Sequence, residues 1–310
     1  MRFFDSQRKR TARINTRINT RVCRATVLSL MCLLLVNCSE ANSHQENTIT
    51  ESLNKPSKAK GSVLVLENAV KLSRTGRART LRIYLPPTYN KDINKRYAVL
   101  YMLDAQNLFD DETSYAGEWG VDESMDELAA KHGLELIVVG IDNHPEFRLN
   151  EYSAWSNEKY GVGEADDFIK DVVEVVKAFV DKNYRTQPDR KHTGMMGSSL
   201  GGLASHYALV EHKDVFAIGG VFSPSYWYAP AAYEFTQNSH LAKDTKWYFL
   251  AGEKEGEGTV ENMQRMIQQI HMQGIPAKNI KSKVSAEGEH NERFWRSEFS
   301  DALLWLYKEL

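Results

Sequence analysis

Five consecutive residues, Gly197-Ser198-Ser199-Leu200-Gly201, fit the pattern G-x-S-x-G with Ser199 at its centre. A serine hydroxyl attacks a carbonyl carbon only when a base takes its proton and a carboxylate orients that base. The pattern serves this chemistry by turning the chain so tightly from strand to helix that the serine backbone is strained. Small residues two before and two after are needed so that nothing clashes across the turn. Alone it is a weak signal, so its context matters. Upstream, 191–196 reads as a short strand. Downstream, 202–210 lacks proline and reads as a helix with a small-residue start.

Around such an elbow the partners follow in the order serine, acid, histidine. Five histidines come after Ser199: His206, His212, His240, His271 and His290. His206 falls inside the helix that the elbow launches, His271 within an amphipathic helix, and His240 after a polar loop. His212 ends a helix, where a cation suits the dipole. His290 differs, because it lies between the last strand and the last helix, and loops at the carboxyl ends of strands form the sites of open α/β sheets. It is the expected base. The acid should follow the strand near 247–251, where Glu253, Glu255 and Glu257 all stand. Spacing does not separate them; Glu255 is the preferred one. The oxyanion of the tetrahedral intermediate needs donors. The backbone N–H of Leu200, directly after the nucleophile, is one candidate, and that of Gln106, in the loop after an early strand, is the second.

These residues have to be held by a particular architecture. Strand-length apolar runs are expected at 62–66, 81–85, 97–103, 136–141, 192–196, 216–222, 247–251 and 280–284. The middle ones are apolar throughout, as in parallel strands buried on both faces. Between 166 and 181 a helical repeat sets Phe168, Val172, Val175, Val176 and Phe179 on one side, with Asp171 among residues left mostly to solvent. Helices are also expected over 259–273 and 292–310. Alternation of this kind implies an α/β fold: a mostly parallel sheet with helices on both faces. The first two strands have no helix between them and should form an antiparallel edge.

The residues quoted so far, and several more, resemble a known family. Tyr84-Leu85-Pro86-Pro87, 103–110 (Leu103-Asp104-Ala105-Gln106-Asn107-Leu108-Phe109-Asp110), Gly117-Glu118-Trp119, Val139-Gly140-Ile141-Asp142-Asn143, Arg148 with Glu151-Tyr152, Gly197 to Gly202, and Phe222-Ser223-Pro224-Ser225-Tyr226-Trp227 occur in the family's order. Together they are similar to the esterase branch of the α/β-hydrolases, which includes esterase D, bacterial feruloyl and acetylxylan esterases, and ferric-siderophore esterases. The resemblance covers about 63–310. It implies the α/β-hydrolase fold, with Ser199 as nucleophile, His290 as base, Glu255 as acid, and Gln106 and Leu200 as oxyanion donors. The chain departs from the family at Ala105, where glycine is usual, and at Glu255, where aspartate is often found; some siderophore esterases use a Ser–His pair alone. Trp119, Arg148, Tyr152, Tyr226 and Trp227 lie near these loops and are candidates to line a pocket for an acyl group or sugar.

The N-terminal region is of another kind. Residues 1–38 carry eight basic side chains against one acid, +7 within a chain of net charge −2, so the remainder is at −9. An acidic remainder argues against nucleic acid as a partner. A charge-free run, 25–36, is too short to cross a bilayer and suits a signal-peptide core. All three cysteines, Cys23, Cys32 and Cys38, are in this leader, which excludes disulfides and thiolate chemistry in the rest of the chain. Leu35-Val36-Asn37-Cys38 resembles a lipobox, although Asn37 replaces the usual small residue; lipidation at Cys38 and plain cleavage nearby both stay open. Residues 39–60 are polar and read as a flexible tether, followed by one domain over 61–310.

The expectation is a cofactor-independent serine carboxylesterase, needing no metal, acting on a small-molecule or carbohydrate ester. It would be periplasmic, an outer-membrane lipoprotein or secreted, touching membrane only through Cys38. A ferric-siderophore trilactone esterase and an acyltransferase are the alternatives within the same chemistry. A non-catalytic binding protein on a hydrolase scaffold is the alternative from another class.

Overall fold

The computed structural model describes residues 62–307. The leader, the lipidation candidate Cys38 and the tether lie outside the described residues.

Eight strands form one sheet: β1 (Val63–Lys71), β2 (Ala78–Tyr84), β3 (Ala98–Leu103), β4 (Leu136–Ile141), β5 (Thr193–Ser198), β6 (Ile218–Phe222), β7 (Lys246–Gly252) and β8 (Ile280–Ser285). Their order across the sheet is β1-β2-β4-β3-β5-β6-β7-β8. β2 runs antiparallel to both β1 and β4, and every pairing from β4 to β8 is parallel. The antiparallel edge expected for the first two strands is present, and β1 runs past the expected boundary through an irregularity between Leu66 and Val70.

The helices are α1 (Val121–His132), α2 (Arg148–Glu151), α3 (Ala165–Asp171), α4 (Ala178–Asn183), α5 (Leu200–Glu211), α6 (Ala231–Asn238), α7 (Thr259–Met272) and α8 (Glu292–Leu306). Strand side chains alternate between the two faces. Val99, Tyr101 and Leu103 join the core shared with α3, α5 and α7, whereas Leu100 and Met102 join the core shared with α1 and α8. Both faces are thus buried, which is why the central strands are continuous apolar runs without alternation.

Three local features differ from the sequence expectation. The segment between α3 and α4, Val172–Lys177, is π-helical. Asp171, expected at the solvent side, is fully buried instead. Its carboxylate accepts the backbone N–H groups of Ser73, Arg74 and Thr75 and the Ser73 hydroxyl (2.7 Å), so it closes the β1–β2 turn. Helix α1, absent from the expectation, is bounded by Gly120 (φ 59°) and Gly133 (φ 67°); the Gly133 N–H bonds Ala129 O, a left-handed glycine cap.

Candidate active site

Three non-glycine residues with left-handed φ stand at the carboxyl ends of three neighbouring parallel strands. They are Asp104 after β3 (58°), Ser199 after β5 (58°) and Ser223 after β6 (46°). Such backbones cost on the order of 1–3 kcal/mol each and persist only where their surroundings over-determine them.

Ser199 has φ 58° and ψ −124°. Its N–H bonds Phe222 O (3.0 Å), and its carbonyl accepts from Leu203 N and Ser225 N (3.1 Å each). A Cβ on Gly197 would lie 2.6 Å from Gly201 O, so the turn closes only with glycine there. The half-buried Ser199 has its Oγ 3.3 Å from Ser225 Oγ. Leu200 opens α5, so its N–H belongs to the first turn, whose donors have no acceptor inside the helix. Gln106 lies in a short 3-10 turn, Ala105–Asn107, directly after β3.

The loop after β3 is anchored from below. Asp104 receives a two-pronged contact from Arg148 (Nε to Oδ1 2.7 Å, Nη2 to Oδ2 2.9 Å) and a third from Asn143 Nδ2 (2.6 Å). Burial opposes the Arg148 charge, but the Asp104 carboxylate outweighs it, and the guanidinium is held above its ordinary pKa. The Asp104 N–H donates to Tyr152 OH (3.1 Å), and the Asn143 N–H donates to Gln106 Oε1 (3.2 Å). Beneath these, α2 is tied to β2 by the buried pair Arg79–Glu151 (2.6 Å). The family departure at Ala105 is accommodated locally: this buried methyl faces Gly140, where an added Cβ would stand 2.7 Å away.

On the far side of the elbow, His290 Nδ1 lies 3.1 Å from Glu255 Oε2. A carboxylate only accepts, so Nδ1 carries the hydrogen, and in the neutral ring the lone pair is then on Nε2. The Glu255 side chain has no exposed surface, whereas that of His290 is 38% exposed. Glu253 and Glu257 are exposed. The other Glu255 oxygen, Oε1, accepts from Ser223 Oγ (2.6 Å) and Gly252 N (2.8 Å). The loops bearing the pair are laced by Glu253 N to Ser285 O (2.9 Å) and Lys254 N to Gly288 O (3.0 Å).

The pocket candidates divide. Trp119 is 3% exposed and packs on Phe222, Trp295 and Phe299; Tyr152 packs at a tilt against Phe168; Tyr226 bonds His206 Nδ1 (3.0 Å). These three are corrected to core residues, because their side chains are buried in packing contacts. Arg148 is committed to Asp104. Trp227 is 61% exposed and touches Tyr228 edge-on. Among the histidines set aside, His206 is fully buried between Tyr226 and Thr236, and burial pushes it down to about 3. Burial also lowers His212, against the cationic helix end expected of it.

Ser223, Ser225, Asp104 and Asn143 also hold the loops at these strand ends, although residue type and spacing alone mark none of them for a role. The usable signal was the pair of serines, Ser223 and Ser225, directly after β6, beside the elbow strand.

The described residues contain no group of three or more His, Cys, Asp or Glu side chains arranged for a metal ion. The family model described as "Putative esterase" matches residues 73–306. The chain is 27% identical over 244 residues to the uncharacterized protein YbbA of Bacillus subtilis, covering 74% of this chain and 92% of that one. It is 25% identical over 229 residues to an endo-1,4-beta-xylanase/feruloyl esterase of Xylanibacter ruminicola, covering 72% of this chain but only 28% of that protein. Among solved structures it resembles the enterobactin esterase FES from Shigella flexneri, with a TM-score of 0.61 at 18% identity, over 82% of this chain and 60% of that one. With the sheet order, the elbow and a family match over most of its length, the chain belongs to the esterase family and has the α/β-hydrolase fold.

Proposed function

We propose that the protein is a serine carboxylesterase working through an acyl-enzyme on Ser199. The observation that carries this reading is the Glu255–His290 hydrogen bond on the two loops that follow β7 and β8, at the same carboxyl edge of the parallel sheet as the elbow serine after β5. Ser199 Oγ would attack the ester carbonyl carbon while His290 Nε2 takes its proton. The N–H groups of Leu200 and Gln106 would receive the oxyanion. Collapse of the tetrahedral intermediate expels the alcohol, which takes the proton back from His290. Water then repeats the sequence on the acyl-enzyme and releases the acid. Glu255 holds the imidazole tautomer and offsets its positive charge.

Acyl groups on carbohydrates are the favoured substrates, supported by the exposed Trp227 two residues from Ser225 and by the feruloyl esterase relatives. A ferric-siderophore trilactone is the second reading, supported by the likeness to enterobactin esterase. A free cation would favour that anionic ligand, but Arg148 is bound to Asp104. Purified protein should hydrolyse p-nitrophenyl acetate, and a panel of feruloyl, acetyl-sugar and siderophore esters should be cleaved most efficiently among the sugar esters. A Ser199→Ala variant as active as the parent would overturn the mechanism.

A further inference from the structure

Ser223 is 1% exposed, has φ 46° and lies outside the three groups that perform the chemistry. A hydroxyl has one hydrogen to give. Trp295 Nε1, which can only donate, points its hydrogen at Ser223 Oγ (2.8 Å). The Ser223 hydrogen is therefore directed to Glu255 Oε1 (2.6 Å). With Gly252 N on the same oxygen, Oε1 is fully engaged, and Oε2 is left facing His290. The same indole stands edge-on to the His290 ring, with centroids 5.1 Å apart at 84°. Trp295 and Ser223 thus form a buried, one-directional chain of hydrogen bonds ending on the carboxylate.

We infer that Ser223, oriented by Trp295, is the positioning residue of the acid: its hydroxyl fixes the Glu255 rotamer so that Oε2 meets His290 Nδ1. The inference rests on the Ser199–His290–Glu255 reading above. The strained backbone at Ser223 belongs to the same device, because a relaxed φ would swing the hydroxyl away from Glu255.

The test measures kcat and KM on p-nitrophenyl acetate for Ser223→Ala and Ser223→Gly, each alone and combined with Glu255→Gln. Glycine adopts φ 46° without strain, so Ser223→Gly keeps the fold and removes only the hydroxyl. Hydrogen bonds to charged groups set the scale, and both single variants should lose about 10–100-fold in kcat. KM should stay within about two-fold, the signature of a contact that acts on turnover rather than binding. Combined with Glu255→Gln, the same changes should cost less than about two-fold, since the group they act through is already lost. Equal losses in both backgrounds would overturn the inference, and so would near-parental turnover of Ser223→Gly. If Glu255→Gln alone leaves kcat unchanged, the acid assignment itself fails and Ser223 has no carboxylate to position.

Discussion

Gly252, at the end of β7, and Gly288, in the loop before α8, press backbone against backbone: a methyl group on Gly252 would stand 2.2 Å from Gly288 O. Both loops hang on this contact, and one carries Glu255 while the other carries His290. Gly252 also gives its N–H to Glu255 Oε1. The distance between acid and base is therefore set by glycine backbones as much as by the two side chains.

Gly252→Ala should separate the loops, since backbone atoms cannot yield as a flexible side chain would. Turnover is expected to fall at least about 10-fold with lowered thermal stability, a cost in the usual range of about 1–3 kcal/mol for overpacking. Thermal unfolding with steady-state kinetics checks this; parental values for both would show that the loops adapt freely.

Glu255→Gln should lower kcat by about 10³–10⁴-fold, the scale for a triad acid replaced by its amide. Glu253→Gln and Glu257→Gln, both at exposed positions, should stay near the parent. Kinetics of the three variants side by side decide the matter. A large loss in either exposed variant, with Glu255→Gln active, would move the acid.

Acid should destabilise the fold partly through His206. Burial holds this ring at about 3 in the folded chain against an ordinary value of 6.5. Its folded pKa is depressed, so its contribution is fully present above about 6.5 and is lost as pH falls toward 3, where the unfolded chain takes up the proton and the folded one does not. Replacing it by an uncharged residue, His206→Gln, should flatten the stability–pH curve in that window while lowering stability at neutral pH, because Tyr226 and Thr236 lose a partner. Denaturant melts from pH 4 to 8 give the slope. An unchanged slope would assign the acid sensitivity elsewhere.

Export should follow the leader. A reporter fused after 1–60 is expected outside the cytoplasm, and Cys38→Ser should release any membrane-bound fraction. A fusion that is soluble with either residue would reject lipidation and retain the signal peptide.

Much was legible in the chain because local rules govern it. Apolar runs marked the central strands most clearly, since a strand buried on both faces has no polar side to interrupt it, whereas the edge strands β1 and β8 keep exposed positions. The elbow could be read from five residues, because the turn tolerates only glycine at Gly197 and leaves Ser199 no relaxed backbone. His290 stood out by its position between the last strand and the last helix. What meets what across the fold was decided only in three dimensions. Glu253, Glu255 and Glu257 are equivalent in spacing, and the burial of one beside His290 follows from how β7 and β8 end. Trp119, Tyr152 and Tyr226 look like pocket aromatics in sequence, yet they fill the core, because proximity to a loop in the chain does not determine which side of the sheet end a ring faces. Ser223 is one of many serines until Trp295, 72 residues away, fixes the direction of its single hydrogen. Hydrogen-bond direction depends on every partner at once, and those partners come from distant strands and helices that only the folded sheet brings together.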